Sequence, residues 1–475
     1  MSSQSNPQDI FHTAVIGAGS GGLTVGIGLS ALGRRVAVIE ANDVGGDCTN
    51  VGCIPSKTLI HLANAHGGRW SAAEIFARVR AKRDVLRDKE THEVSHAKNL
   101  TLIFGRASFV GAKRLHIALN QGGQREIEAQ HIVIATGSRP HRVDVPGLPP
   151  ERALTNETLF ELTDAPKHLV IIGAGLVAME MAGVFRKLGS AVTILARGGR
   201  VLSAMHEDVS AVMQEALAAS GAAVLTRTRP VAYDADRSTL RVTTDGREHD
   251  LTDVDTVLHA VGRDPNIEKL NLDRAGIAFD EQGIHVDSFG LTRTSGVFAI
   301  GDATPTSRHT HSAGAQGRRV AQRIHFPLLP ARGSEPLFPT AIFSDPEVAH
   351  IGMTPGQIAA HCHRKAVMHL RFDLKDLDRG YTDDVTRGFV MVDAVRLTGK
   401  ILSATIIGPR ATELISFFTL TISGGISLFK LFRLVYPYPS YADGIGKIAD
   451  AFIRNTLSYL PRELLAYARY RFARP

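Results

Sequence analysis

The sequence predicts an α/β protein with two Rossmann-like dinucleotide-binding regions and a C-terminal α+β domain. A glycine fingerprint, Gly17-Ala18-Gly19-Ser20-Gly21-Gly22, sits between an apolar strand-like run and a helical run. A second, Gly173-Ala174-Gly175-Leu176-Val177-Ala178, repeats the arrangement. Residues 340–475 alternate strand-like and helical segments without such a fingerprint.

Length and composition bound what these regions can be. A chain of 475 residues exceeds the size of one core, so two to four domains are expected. With 44% hydrophobic and 21% charged residues, disordered and collagen-like readings fail. Three cysteines cannot build a disulfide framework in so long a chain, which points to a reducing compartment, the cytoplasm, and to redox or catalytic use of any pair. The start, MSSQSNPQDIFH, has no signal-peptide pattern. No run approaches the roughly 18 apolar residues of a spanning helix. A net charge of +7 is scattered along the chain, so polyanionic cofactors explain it better than nucleic acid.

In chain order, Phe11–Ile16 reads as a buried strand, the glycine turn opens an apolar helix ending near Gly33, and Arg35–Ile39 forms the next strand, closed by Glu40. Gly17, Gly19 and Gly22 complete GxGxxG, the helix N-terminus faces phosphates, and Glu40 can accept hydrogen bonds from a ribose diol. Next comes Gly45-Gly46-Asp47-Cys48-Thr49-Asn50-Val51-Gly52-Cys53-Ile54-Pro55-Ser56-Lys57, with two of the three cysteines. Two thiols separated by four residues, between a Gly-Gly turn and a helical run, suggest a disulfide that opens and closes.

Residues 71–98 read as a long exposed helix, with Trp70 expected to pack into the core or to be buried at the helix start rather than to touch a cofactor. Leu100–Phe104, Arg114–Leu119 and His131–Thr136 read as strands, the last opening into Gly137-Ser138-Arg139-Pro140, and VDVPGLPP marks a boundary. In the second unit, strand Leu169–Ile172, a helix to Leu188 and strand Ala191–Leu195 enclose Gly173, Gly175 and Ala178. After that strand the acidic residue is absent, and Arg197 and Arg200 suit the 2′-phosphate of NADPH, with NADH the second choice. Val254–Ala260 leads to Val261-Gly262-Arg263-Asp264-Pro265-Asn266, and Ser295–Ile300 leads to Gly301-Asp302. Leu328–Pro339 reads as a linker.

These motifs, GAGSGG with Glu40, GGDCTNVGCIPSK, ATG at Ala135–Gly137, GAGLVAME, AVGRDPN and AIGD ending at Asp302, resemble the pyridine nucleotide-disulfide oxidoreductases, the family of glutathione reductase, lipoamide dehydrogenase and mercuric reductase. The resemblance implies an FAD-binding domain over 10–150, an NAD(P)-binding domain over 151–284, an FAD-domain return over 285–338 and a dimerisation domain over 339–475. It also implies a homodimer. Cys53 would be the thiol nearest the flavin, making the charge-transfer contact, and Cys48 the interchange thiol. Lys57 would lie near flavin N5 and pair with Glu180, while Asp302 would bind the ribityl chain. Gly46, Ala107, Thr136, Gly137 and Gly262 complete the expected cofactor-binding set.

The chain departs from the disulfide-reducing pattern at Tyr438 and Asp443, which stand where those members carry a histidine and a glutamate donated by the partner subunit as an acid-base dyad. A phenol with a pKa of about 10 is a poor base near neutrality. Tyr438 and the Leu195–Arg197 segment resemble mercuric reductase, without its C-terminal Cys-Cys pair. The acceptor expected is therefore a metal ion, a small electrophile or a quinone. Alternatives are a dihydrolipoamide or glutathione-type disulfide reductase and a low-turnover membrane-associated flavoprotein. Cys362 is expected as a core cysteine, and no resident metal is expected at His309 and His311, which would line the flavin site. The apolar and basic tail from Phe452 fits either a membrane surface or, the favoured expectation, packing on the dimer.

Overall fold

Strands covered on both faces read as unbroken apolar runs, and Val36–Glu40 is buried at every position. The computed structural model describes residues 9–65, 69–305, 309–328, 337–362 and 366–472, with backbone only for 469–472. Val36–Glu40 lies parallel to Ile10–Ile16. Ile10–Ile16 also pairs parallel with the end of Gln124–Ile134, which in turn pairs with Val297–Ala299. Leu100–Gly111 extends the other edge, well beyond the expected Phe104, because its second half joins Arg114–Leu119 and the start of Gln124–Ile134 in an antiparallel meander. Helices Ser20–Ala31 and Thr310–His325 cover one face over Val15, Val25, Leu29, Val133, Phe298 and Val320.

The chain divides into two compact units. The first comprises Met1–Val143, Leu154–Asp164 and Val261–Pro336; the second comprises Asp144–Ala153, Ala165–Ala260 and Leu337–Pro475. The return to the first unit thus comes at Val261, earlier than the expected boundary at 285. Ile267, Leu270, Leu272, Ile277 and Ile284 explain this, because all of them are buried in the first unit's core with Phe109.

In the second unit, parallel strands run in the order Ala223–Thr226, Ala191–Ala196, His168–Ile172 and Thr256–His259. A five-stranded antiparallel sheet follows, ordered Thr340–Ile342, Val348–Gly352, Ile401–Ile407, Phe389–Val395, Val367–Asp373. Helices Ala411–Ser423 and Asp443–Ser458 bury Phe418, Ile445, Ile448 and Phe452 in its core. The tail helix Leu460–Phe472 is tied back by buried Glu463, paired with Arg396, while Leu464 and Leu465 stay exposed.

Two packing expectations are corrected. Trp70 is only half-buried, because Arg69 and Arg78 flank its ring at 5.9 and 4.7 Å, a cationic setting rather than a core. Cys362 is half-buried at the end of helix Pro355–His361, not in the core. Residues 329–336 of the expected linker and the first eight residues lie outside the described residues, as do the side chains of Tyr470 and Phe472. Among the described residues no helix is long and apolar enough to cross a membrane.

A histidine on strand Gln124–Ile134 makes stability pH-dependent. Burial, then His12, Lys113 and Arg34, push the His131 pKa down to about 4, below the ordinary value of about 6.5. Protonation then favours the unfolded chain, so stability is complete above pH ~6.5 and declines as pH falls toward about 4. His131→Phe also removes Nδ1, which is buried without a partner among the described residues. This variant is expected to show a smaller drop in unfolding midpoint than wild type between about pH 7 and about pH 5, measured by calorimetry.

Candidate functional site

The dithiol segment folds as a five-residue helix, Gly46–Asn50, and a longer one, Cys53–Ala65, which Cys53 begins. Cys48 and Cys53 are free, half-buried thiols close enough to share a hydrogen bond. That bond, then burial, pushes the Cys48 thiol up, so in this dithiol state Cys48 holds its proton. The Cys53 sulfur also lies 3.4 Å from Thr310 Oγ1. Placement at a helix N-terminus favours a thiolate on Cys53 once the pair loses a proton. Gly52 allows the turn between the thiols: a Cβ there would lie 2.7 Å from the Asp47 carbonyl oxygen and 3.3 Å from the Cys48 Cα. Lys57 follows Cys53 by one helical turn and so shares its side of the helix.

The dithiol turn lies directly on the nucleotide turn. Gly17 follows the first strand, Gly19 caps helix Ser20–Ala31, and Gly22 is buried in its first turn. Gly46 passes so close to Gly19 that a Cβ on it would lie 2.8 Å from the Gly19 Cα. The Gly45 N–H donates to the Ala18 carbonyl at 2.9 Å, and the Ala18 N–H donates to Glu40 Oε2 at 2.7 Å. Glu40 is buried, and burial raises its pKa against the backbone N–H groups of Ala18 and Asn42, which lower it.

Around the strand ends, Thr136 Oγ1 is buried without a partner among the described residues, and Gly137 turns the chain. Asn266 anchors this turn through its own N–H to the Gly137 carbonyl at 3.0 Å and its amide to the Thr136 carbonyl at 3.2 Å. Ser138 donates to Asp302 Oδ2 at 2.6 Å. Gly262 accepts from the His141 N–H at 3.0 Å. Ala107 lies inside the hydrophobic core of this unit. His309 and His311 stack at 5.3 Å; burial, then His311, lowers the His309 pKa. Among the described residues no group of three or more possible ligands could hold a metal ion.

In the second unit Gly173 follows the strand, Gly175 caps helix Leu176–Lys187 and Ala178 is buried in its first turn. Glu180, on the same helix, is buried and accepts the Phe343 N–H at 3.0 Å. Arg197 is exposed just past strand Ala191–Ala196. Arg200 instead folds back onto Ser210 Oγ and the Ser203 carbonyl, both at 2.9 Å.

Tyr438 and Asp443 each bond elsewhere. Tyr438, 75% exposed, donates its phenolic proton to Asp378 Oδ2 at 2.9 Å, and that bond raises its pKa. Asp443 begins helix Asp443–Ser458 and pairs with Lys447 at 3.5 Å. Sequence reasoning assigned no role to Asp47, Ser138, Asn156, Arg263, Thr310 or Asp378. The AVGRDPN motif containing Arg263 was the only local signal for any of their contacts.

Comparison with known proteins follows the same lines. The chain matches the family described as pyridine nucleotide-disulphide oxidoreductase over residues 11–317 and its dimerisation domain over 338–449. It is 30% identical to a mercuric reductase of Streptomyces lividans, covering 93% of this chain and 96% of that one. It is 31% identical to a dihydrolipoyl dehydrogenase of Thermus scotoductus, covering 95% and 99%. Among solved structures, the Cu(II) complex of the HOCl-induced flavoprotein disulfide reductase RclA from Escherichia coli superposes with a TM-score of 0.84 at 25% identity, over 93% of this chain and 99% of that one.

The tight turn between the thiols is directly testable. Gly52→Ala forces the Asp47 carbonyl away and with it the Cys48 backbone. Disulfide closure by a mild oxidant, followed by maleimide trapping of remaining thiols, is expected to slow by about tenfold or more.

Proposed function

Because the chain belongs to the pyridine nucleotide-disulphide oxidoreductase family, we propose that it is an FAD-dependent NAD(P)H oxidoreductase that cycles Cys48 and Cys53 and passes electrons to a metal ion, a small electrophile or a quinone. The observation that carries the acceptor reading is the bond from Tyr438 to Asp378. Reduction of an external disulfide needs a group that gives and takes protons near neutrality. A phenol whose proton is already held by a carboxylate keeps it there, and its oxygen lone pairs remain able to meet a ligand at a thiolate. The mercuric reductase relatives and the Cu(II) complex of the structural neighbour support this direction.

The first unit's residues fit a flavin dinucleotide, since the Gly19–Gly46 approach leaves backbone N–H groups uncovered by side chains and Thr136 offers an unused hydroxyl. Gly17, Gly19, Gly22, Glu40, Gly46, Thr136, Gly137 and Asp302 would hold it. When bound, FAD accepts a hydride from the nicotinamide and returns two electrons to a disulfide. Cys53 would be the thiol that takes them up; opening the Cys48–Cys53 bond takes two electrons and two protons and leaves two thiols. Lys57, on the helix side of Cys53, lowers the cost of negative charge there. Cys48 faces the acceptor; reclosing the disulfide releases two electrons and two protons, enough for one quinone or one two-electron metal reduction. In the second unit Gly173, Gly175 and Ala178 would seat the nicotinamide nucleotide, and exposed Arg197 would meet the 2′-phosphate of NADPH.

An anaerobic NADPH titration followed by an acceptor panel tests the reading. Wild type is expected to gain two titratable thiols per chain on reduction and to oxidise NADPH with Hg(II), Cu(II) or a quinone, whereas Cys48→Ser and Cys53→Ser lose at least about a hundredfold. Turnover of lipoamide or glutathione disulfide at rates equal to those acceptors would replace it with the disulfide-reductase reading.

Nucleotide choice has its own expected outcome. Arg197→Ala should raise KM for NADPH by about tenfold and leave KM for NADH unchanged. Arg200→Ala, whose guanidinium serves the loop itself, should change both alike.

A further inference from the structure

The helix that carries Cys48 has only five residues and cannot hold itself in place. Its side-chain ties therefore decide where Cys48 sits. Thr49 donates to Glu90 Oε2 at 2.9 Å, and Asn50 donates to the Val44 and Gly46 carbonyls at 3.0 and 2.9 Å. The remaining ties converge on one residue. Arg263 pairs with Asp47, at the start of the short helix, and donates to Asn156 Oδ1 at 3.3 Å. Asn156 in turn donates to the Val51 carbonyl at 3.1 Å, at the helix end. Arg263 also donates through Nε to Ser138 Oγ at 2.6 Å and, through the same Nη2 that pairs with Asp47, to the Ser138 carbonyl at 2.9 Å, with Asp302 3.6 Å away.

We propose that Arg263 is a positioning residue for the redox couple, clamping both ends of the Cys48 helix to the Ser138–Asp302 pair so that Cys48 meets Cys53. The arrangement requires a guanidinium, because a planar fork with five donors reaches Asp47, Asn156 and Ser138 at once and a lysine ammonium does not. It also has an electrostatic side. Asp47 and Asp302 both face the same cation. Removing it leaves two carboxylates repelling each other across the turn, and Asp47 adjoins Cys48 in sequence, so the displaced group pulls on the thiol. The inference rests on the reading that Cys48 and Cys53 form a working couple.

The test reads the couple itself. Purified holoprotein is equilibrated anaerobically in dithiothreitol buffers of varied reduced-to-oxidised ratio, in which one dithiothreitol disulfide forms for each protein disulfide opened, and the remaining protein thiols are trapped with a maleimide of high mass. Arg263→Met is expected to shift the midpoint ratio by about tenfold toward the dithiol, with Arg263→Lys between it and wild type. Asp47→Asn added to Arg263→Met is expected to recover most of the shift, because the repulsion with Asp302 is gone. A general loss of packing would not show that recovery.

An Arg263→Met midpoint equal to wild type, or a double variant no closer to wild type than Arg263→Met, overturns the clamp. If Arg263→Met does not fold, Asn156→Ala, which cuts only the Val51 end, decides instead: a shift in the same direction supports the clamp, and an unchanged midpoint overturns it. A wild-type pair that never interconverts overturns the redox reading and the clamp with it, so the two failures are distinguishable.

Discussion

The close approach of Gly46 to Gly19 is the contact on which the first unit's chemistry depends. Two backbones meet where Gly46 has no room for a side chain, since a Cβ on it would lie 2.8 Å from the Gly19 Cα. Three motifs separated in sequence are joined as a result. The Gly45 N–H reaches the Ala18 carbonyl, the Ala18 N–H reaches Glu40, and the short helix with Cys48 starts from the same place. In the proposed function, this contact between a dinucleotide turn and a dithiol turn would put the disulfide beside its reductant.

The dithiol is held by polar ties of modest individual worth, each about 1 kcal/mol net. Their number matters more than their strength, because a five-residue helix has almost no cooperative stability of its own. Thr49 with Glu90, Asn50 with Val44, and Asp47 with Arg263 bind it on separate sides. The hydrogen bond with Cys53 and burial keep the Cys48 thiol protonated, whereas reactivity requires that one thiol of the pair lose its proton. The start of helix Cys53–Ala65 and the nearby Lys57 favour Cys53 as that one.

The electron-input and electron-output sides differ in how they are built. The residues proposed to hold the two nucleotides sit in glycine turns of the first and second units, where glycine spacing leaves little choice of conformation. On the output side Tyr438 stands 75% exposed with its proton committed to Asp378, so its chemistry depends on one side-chain partner. Tyr438 and Asp443, which stand where disulfide-reducing members carry an acid-base dyad, are each committed to another partner, Asp378 and Lys447.

Much of the fold was legible in the amino-acid order. Both glycine turns, the strands on either side of them, Glu40 at a strand end and the pair Cys48 and Cys53 all rest on patterns within about 30 residues, the span of one βαβ unit. Local order also identified the tyrosine at 438. It did not show the Arg263 bond to Asp47 across 216 residues or the Thr310 contact with Cys53 across 257, since sequence spacing carries no information on which distant side chains a closed sheet brings together. Nor did it place 261–284 in the first unit, because an apolar run declares that it will be buried but not against which core. The sequence alone determined which turns and thiols this protein has; the tertiary structure decided what holds Cys48 beside Cys53 and what holds Tyr438, because those choices lie in side chains meeting across the fold.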